Sequence, residues 1–395
     1  METNELRFCV RCACVGSTTL FVTGSIFQTF LVSYGVPAEQ VSRMTAVMSS
    51  TQMVTILCMS LVTDSLKRVK RDSAASIGLM AVYFLALVPL LLAGVGPETL
   101  ARAMLAAGML QNVLLGVYSI LEFKLPYWVI DMRNYARLSA VSGAFAGGAQ
   151  ICVAGMATFL LSRFRSGRAM AGLFGGCILL ALIGALETMR LRENGRGEAA
   201  PAHGGLRVLR MPAFRALLGP NLMRGFNSGV VNMLVVIGMH ELGLTVEQGA
   251  SMAIVFTVMS IVVAFLYGRL SKRFASRRLC LTASVVVAAA LPGLLLTGGG
   301  MAFMAVYVVV LGAVFMVDYS VPVIVTEIVP YDCMGGFSSM RLGAHWAGIS
   351  LGAWLVGICL PRGFIFPLLA VSAAMQLTSG VVYYVFSGKH SLSLM

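Results

Sequence analysis

Long apolar runs separated by short polar punctuation fill almost the whole chain. They predict helices at roughly 8–33, 42–62, 73–94, 99–125, 136–161 and 168–188, and again at 215–240, 247–267, 279–297, 301–325, 336–360 and 363–386. A bilayer core takes about 20 mostly apolar residues per helix, which is the scale of these runs. Lipid offers the backbone no hydrogen-bond partner, so long continuous runs rich in Leu, Ala, Met and Gly read as helices rather than strands. One long hydrophilic stretch, 189–214 with its segment RLRENGRGEAAPAHGG, divides them. The expected architecture is all-α and integral to a membrane. Twelve transmembrane helices form two pseudo-symmetric six-helix bundles, residues 1–188 and 215–395, joined by a linker at 189–214.

A second regularity lies beneath the hydropathy. Residues 111–139, QNVLLGVYSILEFKLPYWVIDMRNYARLS, have a diverged counterpart 196 positions later. Glu122 maps onto Asp318, Pro126 onto Pro322, Asp131 onto Glu327 and Tyr135 onto Tyr331. Earlier in the chain, Glu39-Gln40 recurs as Glu247-Gln248 at an offset of 208, so the third helix and its following loop are expected to be shorter in the second half. A duplicated membrane unit with an acid in each half is an arrangement found in transporters.

Polar residues concentrate on particular helices. Gln111, Leu115, Tyr118 and Glu122 form one narrow stripe on the fourth predicted helix, and Asn221, Arg224, Ser228 and Asn232 one on the seventh. Tyr307, Leu311, Phe315 and Asp318 form the corresponding stripe on the tenth. Ionisable groups at membrane depth are costly and face a watery cavity or a partner. One cavity lined by these three helices accounts for all three stripes. Arg224 and Asp318 lie at depths that let them pair. Arg11 and Glu122 are expected to make a looser analogue, with the arginine snorkelling. A weaker stripe of Arg11, Thr18, Ser25 and Thr29 on the first helix fails to map onto the seventh at the 208 offset. The third, sixth and ninth predicted helices are nearly featureless, as suits lipid-facing helices. Glycines at Gly143, Gly147, Gly148 and Gly155, and at Gly343, Gly348, Gly352 and Gly357, are expected to allow close helix packing.

Composition narrows the class further. The chain is 58% apolar and 11% charged over 395 residues, whereas soluble domains carry about 25% charged residues. A net charge of +13 would point to nucleic acid in a soluble protein. Here the cations fall mainly in loops on one side of a membrane, which places both termini in the cytoplasm. Arg43, Arg102, Arg163, Arg165, Arg168 and Arg362 fall on the other side. The first apolar run, from Phe8 to about Tyr34, is too long for the core of a signal peptide. Nine scattered cysteines imply no disulfide framework, and Cys9, Cys12 and Cys14 lack the second cluster a metal site needs. No phosphate-binding loop, dinucleotide fingerprint or nucleophile–base constellation occurs, so neither an enzyme nor a cofactor or metal is expected. His345, Trp346 and Trp354 are candidates for solute contact or for packing against lipid and core.

Two loop segments resemble a known family. GRLSKRFASRR, from Gly268 to Arg278, resembles the G-x-L-[AS]-D-R-x-G-R-[RK] signature of the major facilitator superfamily at Gly268, Leu270, Ser271, Arg273 and Arg277, with Lys272 in place of the acid and Ala275 in place of the second glycine. The first-half counterpart, SLVTDSLKRVKR, keeps Asp64 and Arg68 but lacks both glycines. Asp131 and Arg137, and in the second half Glu327, Pro330 and Gly335, are similar to that family's E-x-x-P-x-x-x-R-G pattern, with Cys333 where Arg137 maps. The resemblance implies rocker-switch alternating access with a solute site near midplane. It also implies a cytoplasmic latch involving Asp64, Arg68, Asp131, Arg137, Gly268, Arg273 and Glu327. The G-P signature of the family's antiporters is absent from the fifth helix, where Gly147 is followed by Gly148.

The function expected is secondary active transport of a small solute, coupled to protons, by a monomer in the cell membrane that binds no nucleic acid. The readings left open are a proton-antiport exporter instead of an uptake symporter, and a non-transporting sensor or partner subunit on the same fold. Glu122 and Asp318 are candidates for carrying protons, since desolvation favours a neutral carboxyl; the competing role is a static ion pair. Arg224 is a candidate for meeting an anionic solute.

Overall fold

The computed structural model describes residues 3–22, 24–62, 66, 68–130, 135–164, 167–193, 212–328 and 334–393. In the first half of the chain the helices are α1 (Thr3–Thr19), α2 (Ser25–Ser33), α3 (Ala38–Val62), α4 (Val69–Ala93), α5 (Pro97–Val129), α6 (Tyr135–Phe164) and α7 (Gly167–Arg190). In the second half they are α8 (Pro212–Asn232), α9 (Leu234–Glu241), α10 (Val246–Leu270), α11 (Ser276–Gly293), α12 (Gly300–Ile328), α13 (Met334–Cys359) and α14 (Ile365–Ser393). Among the described residues, ten helices are long and apolar enough to cross a membrane, and the bent pair α8–α9 makes an eleventh candidate. The pair α1–α2 takes the place of the first expected span. This is a multi-pass membrane protein.

Local chemistry explains where the helices stop. Gly94 ends α4 in the left-handed region (φ 65°), which costs a glycine little. Three residues on, Pro97 opens α5 at a position where its missing N–H is not needed. Two expected helices prove discontinuous. Residues 8–33 are divided between α1 and α2, with Gly24 in extended backbone ahead of α2. The stripe Arg11–Thr18–Ser25–Thr29 is therefore not one helical face. The seventh expected helix bends by 43° between α8 and α9. At the bend the Met233 N–H donates to the Val230 carbonyl, a tightened turn in place of the regular ladder.

The described helices divide into two compact units. One comprises Met1–Pro37, Val54–Pro201 and Val246–Thr257; the other comprises Ala38–Met53, Ala202–Thr245 and Val258–Met395. In the first, α1 packs on α6 and α7, and α4 packs on α5 and α7. In the second, α8 packs on α13 and α14, and α11 packs on α12 and α14. The same neighbour scheme recurs, as a duplicated unit requires. The shortening implied by the change of offset is visible too: α4 has 25 residues and α11 has 18.

Glycine packing is unequal between the units. On α8 and α13 it is extreme. A Cβ at Gly225 would sit 2.0 Å from the His345 carbonyl oxygen, and one at Gly348 would sit 2.2 Å from that of Leu222. Gly229 and Gly352 are as restricted, so two Gly-x-x-x-Gly pairs interlock. On α6 three of the four glycines depart from the expectation: Cβ atoms at Gly143, Gly148 and Gly155 would meet nothing within 4 Å, while Gly147 is buried. The featureless helices present apolar side chains outward: Leu79, Leu85 and Leu92 on α4, Leu179, Leu182 and Leu186 on α7, and Val285 on α11.

Candidate functional site

Each unit contains a pair made of a buried arginine and a half-buried carboxylate. In the first unit, Arg11 on α1 is wholly buried. Its guanidinium holds Glu122 of α5 with two N–H groups: Nη1 donates to Oε1 at 3.0 Å and Nη2 to Oε2. Nη2 also donates to Ser73 Oγ of α4 at 3.2 Å. The guanidinium carbon lies 5.3 Å from the centre of the Tyr118 ring and 5.5 Å from that of Phe8. Arg11 is thus clamped by three helices. The expectation of a loose, snorkelling arginine is corrected: the side chain is wholly buried and holds Glu122 with two N–H groups instead of reaching toward a membrane surface. Sequence alone did not single out Ser73, because a serine in an apolar run carries no distinguishing signal.

Further along the α5 stripe, Gln111 is buried, and its amide has no hydrogen-bond partner among the described residues. Such a group is expensive unless water or a ligand satisfies it. Tyr118 and Glu122 are half-buried on the same face.

In the second unit, Arg224 Nη1 of α8 donates to Asp318 Oδ1 of α12 at 3.2 Å. The expected pairing is therefore present, and it brings two of the stripes together. Asn221, one turn before Arg224, is buried and gives its amide N–H to the Leu217 carbonyl at 2.7 Å. Ser228 is buried, whereas Asn232 is exposed. Tyr307 is buried against Phe303 with ring centroids 6.4 Å apart, several turns from Asp318. The unexpected members are Arg341 and His345 on α13 and Tyr383 on α14. All three lie within electrostatic range of Arg224. Arg341 sits in the second described turn of α13, where by sequence it counts among loop cations. Its signal was the spacing: an arginine and a histidine four apart share one helix face.

Buried amides extend this polar interior. Ser372 Oγ donates to Asn227 Oδ1 at 2.9 Å, and Gln376 Nε2 donates to Ser284 Oγ at 3.2 Å.

Of the expected latch residues, Asp64 and Asp131 lie outside the described residues, as does the side chain of Arg137. Arg68, Arg273 and Glu327 are exposed, and Gly268 lies in the last turn of α10 with open space around it. At the corresponding end of the first unit, other contacts close α7. Asn4 Nδ2 donates to the Val129 carbonyl at 2.7 Å while its Oδ1 accepts from the Arg192 N–H at 2.8 Å. Arg7 donates to the Arg190 carbonyl at 2.6 Å and Lys70 to that of Leu191 at 3.2 Å. Cations at a helix C-terminus satisfy its free carbonyls and complement its dipole.

This helix order and repeated neighbour scheme define the fold of the major facilitator superfamily. Among solved structures, the chain is similar to a D-xylose–proton symporter, with a TM-score of 0.73 and 13% identity over 96% of each chain. It is similar to the nucleoside transporter NupG, with a TM-score of 0.69 and 12% identity over 99% of each chain. A third similar structure is the proton:xylose symporter XylE bound to 6-bromo-6-deoxy-D-glucose, with a TM-score of 0.71 and 12% identity over 97% of this chain and 95% of that one. No protein-family profile and no curated protein sequence matches the chain.

Proposed function

We propose that the protein is a secondary active transporter that moves a small solute across the cell membrane by rocker-switch alternating access, coupled to protons. The observation that carries this reading is the pair of a buried arginine and a half-buried carboxylate in each unit, Arg11–Glu122 and Arg224–Asp318. Charges inside a membrane protein are costly and are kept where they bind, relay or gate. Two such pairs, inside a fold shared with solute transporters, support transport better than a passive scaffold.

In this reading Gln111, Tyr118, Glu122, Asn221, Arg224, Ser228, Asn232, Tyr307 and Asp318 serve the solute and proton pathway. Asp64, Arg68, Asp131, Arg137, Gly268, Arg273 and Glu327 serve the cytoplasmic latch. The two bundles, 1–188 and 215–395, act as the moving bodies, the linker 189–214 joins them, and the monomer is the working unit.

Glu122 is the carboxylate assigned to the proton. It is half-buried and held by Arg11, so losing the proton and re-forming the pair are coupled events in this reading. The test is solute flux in proteoliposomes under an imposed pH gradient, with a panel of sugars, nucleosides and organic acids. Glu122→Gln is expected to lose gradient-driven accumulation while retaining exchange of solute down its own gradient. Wild-type accumulation that ignores the pH gradient, or an unchanged pH profile in Glu122→Gln, overturns the proton role.

A further inference from the structure

The two pairs differ in charge balance, and the difference identifies a ligand class. In the first unit one guanidinium meets one carboxylate, which takes two of its N–H groups, and Ser73 takes another. In the second unit, two guanidiniums, Arg224 and Arg341, share the neighbourhood of a single acid, Asp318. Arg224 makes one contact with that acid, and Arg341 makes no hydrogen bond or ion pair with any described residue. The Nε atoms of both arginines, like that of Arg11, are buried without a partner among the described residues. Arg341 is half-buried, and a guanidinium at membrane depth without its own counter-charge is costly.

The surrounding polar atoms complete the picture. Tyr383 is wholly buried and its hydroxyl has no partner among the described residues. His345 Nδ1 is buried and unpartnered in the same sense. Both residues lie within electrostatic range of Arg224 and Arg341. Guanidiniums only donate hydrogen bonds, and a phenol can donate as well, whereas the His345 ring already gives its N–H to the Asn221 backbone. The two arginines and Tyr383 therefore offer positive charge and donors, and their complement is a group rich in acceptors.

The cluster is also held rigidly. Arg341 and His345 are one turn apart on α13, and the carbonyl of His345 rests against Gly225, the residue after Arg224. Direct backbone contact between α8 and α13 at this level fixes the two arginines relative to one another. A preformed site gives up less conformational freedom on binding. We propose that Arg224, Arg341 and Tyr383 form an oxyanion-binding site in the second unit, with His345 packed beside them, and that the solute carries a carboxylate or a phosphate. Arg341 supplies the charge that Asp318 leaves unmatched, and Asp318 keeps Arg224 oriented. The part of this assignment that concerns a transported solute rests on the transport reading; the binding site itself does not.

The experiment uses the purified full chain. Thermal stability and calorimetric binding are measured with succinate, glucuronate, inorganic phosphate and a hexose phosphate, with xylose and uridine as neutral controls. A ligand that binds the folded protein raises its thermal midpoint. At least one anionic probe is expected to bind, and the arms separate carboxylates from phosphates. Arg341→Gln is expected to weaken that binding by about tenfold or more, consistent with loss of a charge-assisted contact. Arg341→Lys is expected to recover part of it, and Tyr383→Phe to weaken it less, so the site remains testable if Arg341→Gln fails to fold.

Anion binding that Arg341→Gln, Arg341→Lys and Tyr383→Phe all leave unchanged overturns the site. So does neutral-solute binding with no anion binding up to about 10 mM, a range in which even a millimolar ligand would register. Proteoliposome flux separates the two readings. Arg341-dependent anion binding without flux of any solute keeps the site and removes the transport reading. Flux of a neutral solute without anion binding does the reverse.

Discussion

Arg11 shows how much one side chain can organise in a low-dielectric interior. It is wholly buried and joins α1, α4 and α5 through Glu122 and Ser73. Removing Arg11 gives up its charge-assisted hydrogen bonds to Glu122, about 1.5–3 kcal/mol each, together with the contact to Ser73, and leaves a half-buried carboxylate unpaired. Arg11→Gln is therefore expected to destabilise the protein severely, and combining it with Glu122→Gln to recover part of the loss. A double-mutant cycle of thermal or denaturant stability checks this; additive losses would show that the pair contributes nothing beyond its separate residues. The carboxylates of both pairs and Arg224 were legible in the sequence, because a charge inside an apolar run stands out. Arg341 and Tyr383 were not. One sits near a helix start, where cations are ordinary, and a tyrosine among apolar residues is ordinary anywhere. Only the packing of α13 and α14 around α8 makes them members of the same cluster.

Helices α8 and α13 pack with their backbones in contact, and that contact sets the geometry of the second-unit cluster. A methyl at Gly225 or Gly348 would meet main-chain oxygen at 2.0 or 2.2 Å. Main chain cannot swing aside as a side chain can. Gly225→Ala and Gly348→Ala are expected to destabilise by about 3 kcal/mol or more, the upper range of overpacking. Gly148→Ala on α6, with open space at its Cβ, is expected to stay within about 0.5 kcal/mol. Thermal midpoints of the purified variants distinguish the three, and equal effects on α6 and α13 would contradict the inequality of the two units. Sequence placed glycines on both helices but could not rank them. Whether a glycine is needed depends on what faces it, and periodicity does not carry that information. The breaks before Ser25 and at Met233 escaped for a similar reason: an apolar run stays apolar across a bend.

At the scale of the molecule, the neighbour scheme of the first unit recurs in the second, while the chemistry inside them diverges. The duplicated frame supplies the same helix pairings twice. Charge balance and glycine packing then make the units unequal. The orientation expected from the distribution of Lys and Arg has a direct test. With both termini cytoplasmic, Gly96→Cys, in the exposed turn before α5, is expected to react with a membrane-impermeant maleimide in right-side-out vesicles. Lys272→Cys, in the exposed turn after α10, is expected to react only in inverted ones. The opposite pattern would invert the topology. The parent protein, with exposed Cys58 and Cys152, provides the background.

Hydropathy, the polar stripes and the offsets by themselves determined the membrane class, the positions of the helices within a few residues, and the repeat. These are properties of single segments read against water and lipid, and each run carries its own signal. The tertiary structure alone decided which polar groups meet. It made Arg11–Glu122 the two-pronged pair and Arg224–Asp318 the single-contact one, and it added Arg341 and Tyr383 to the second cluster. Pairing depends on the depth and rotation of neighbouring helices, and those are set by contacts between residues far apart in the chain.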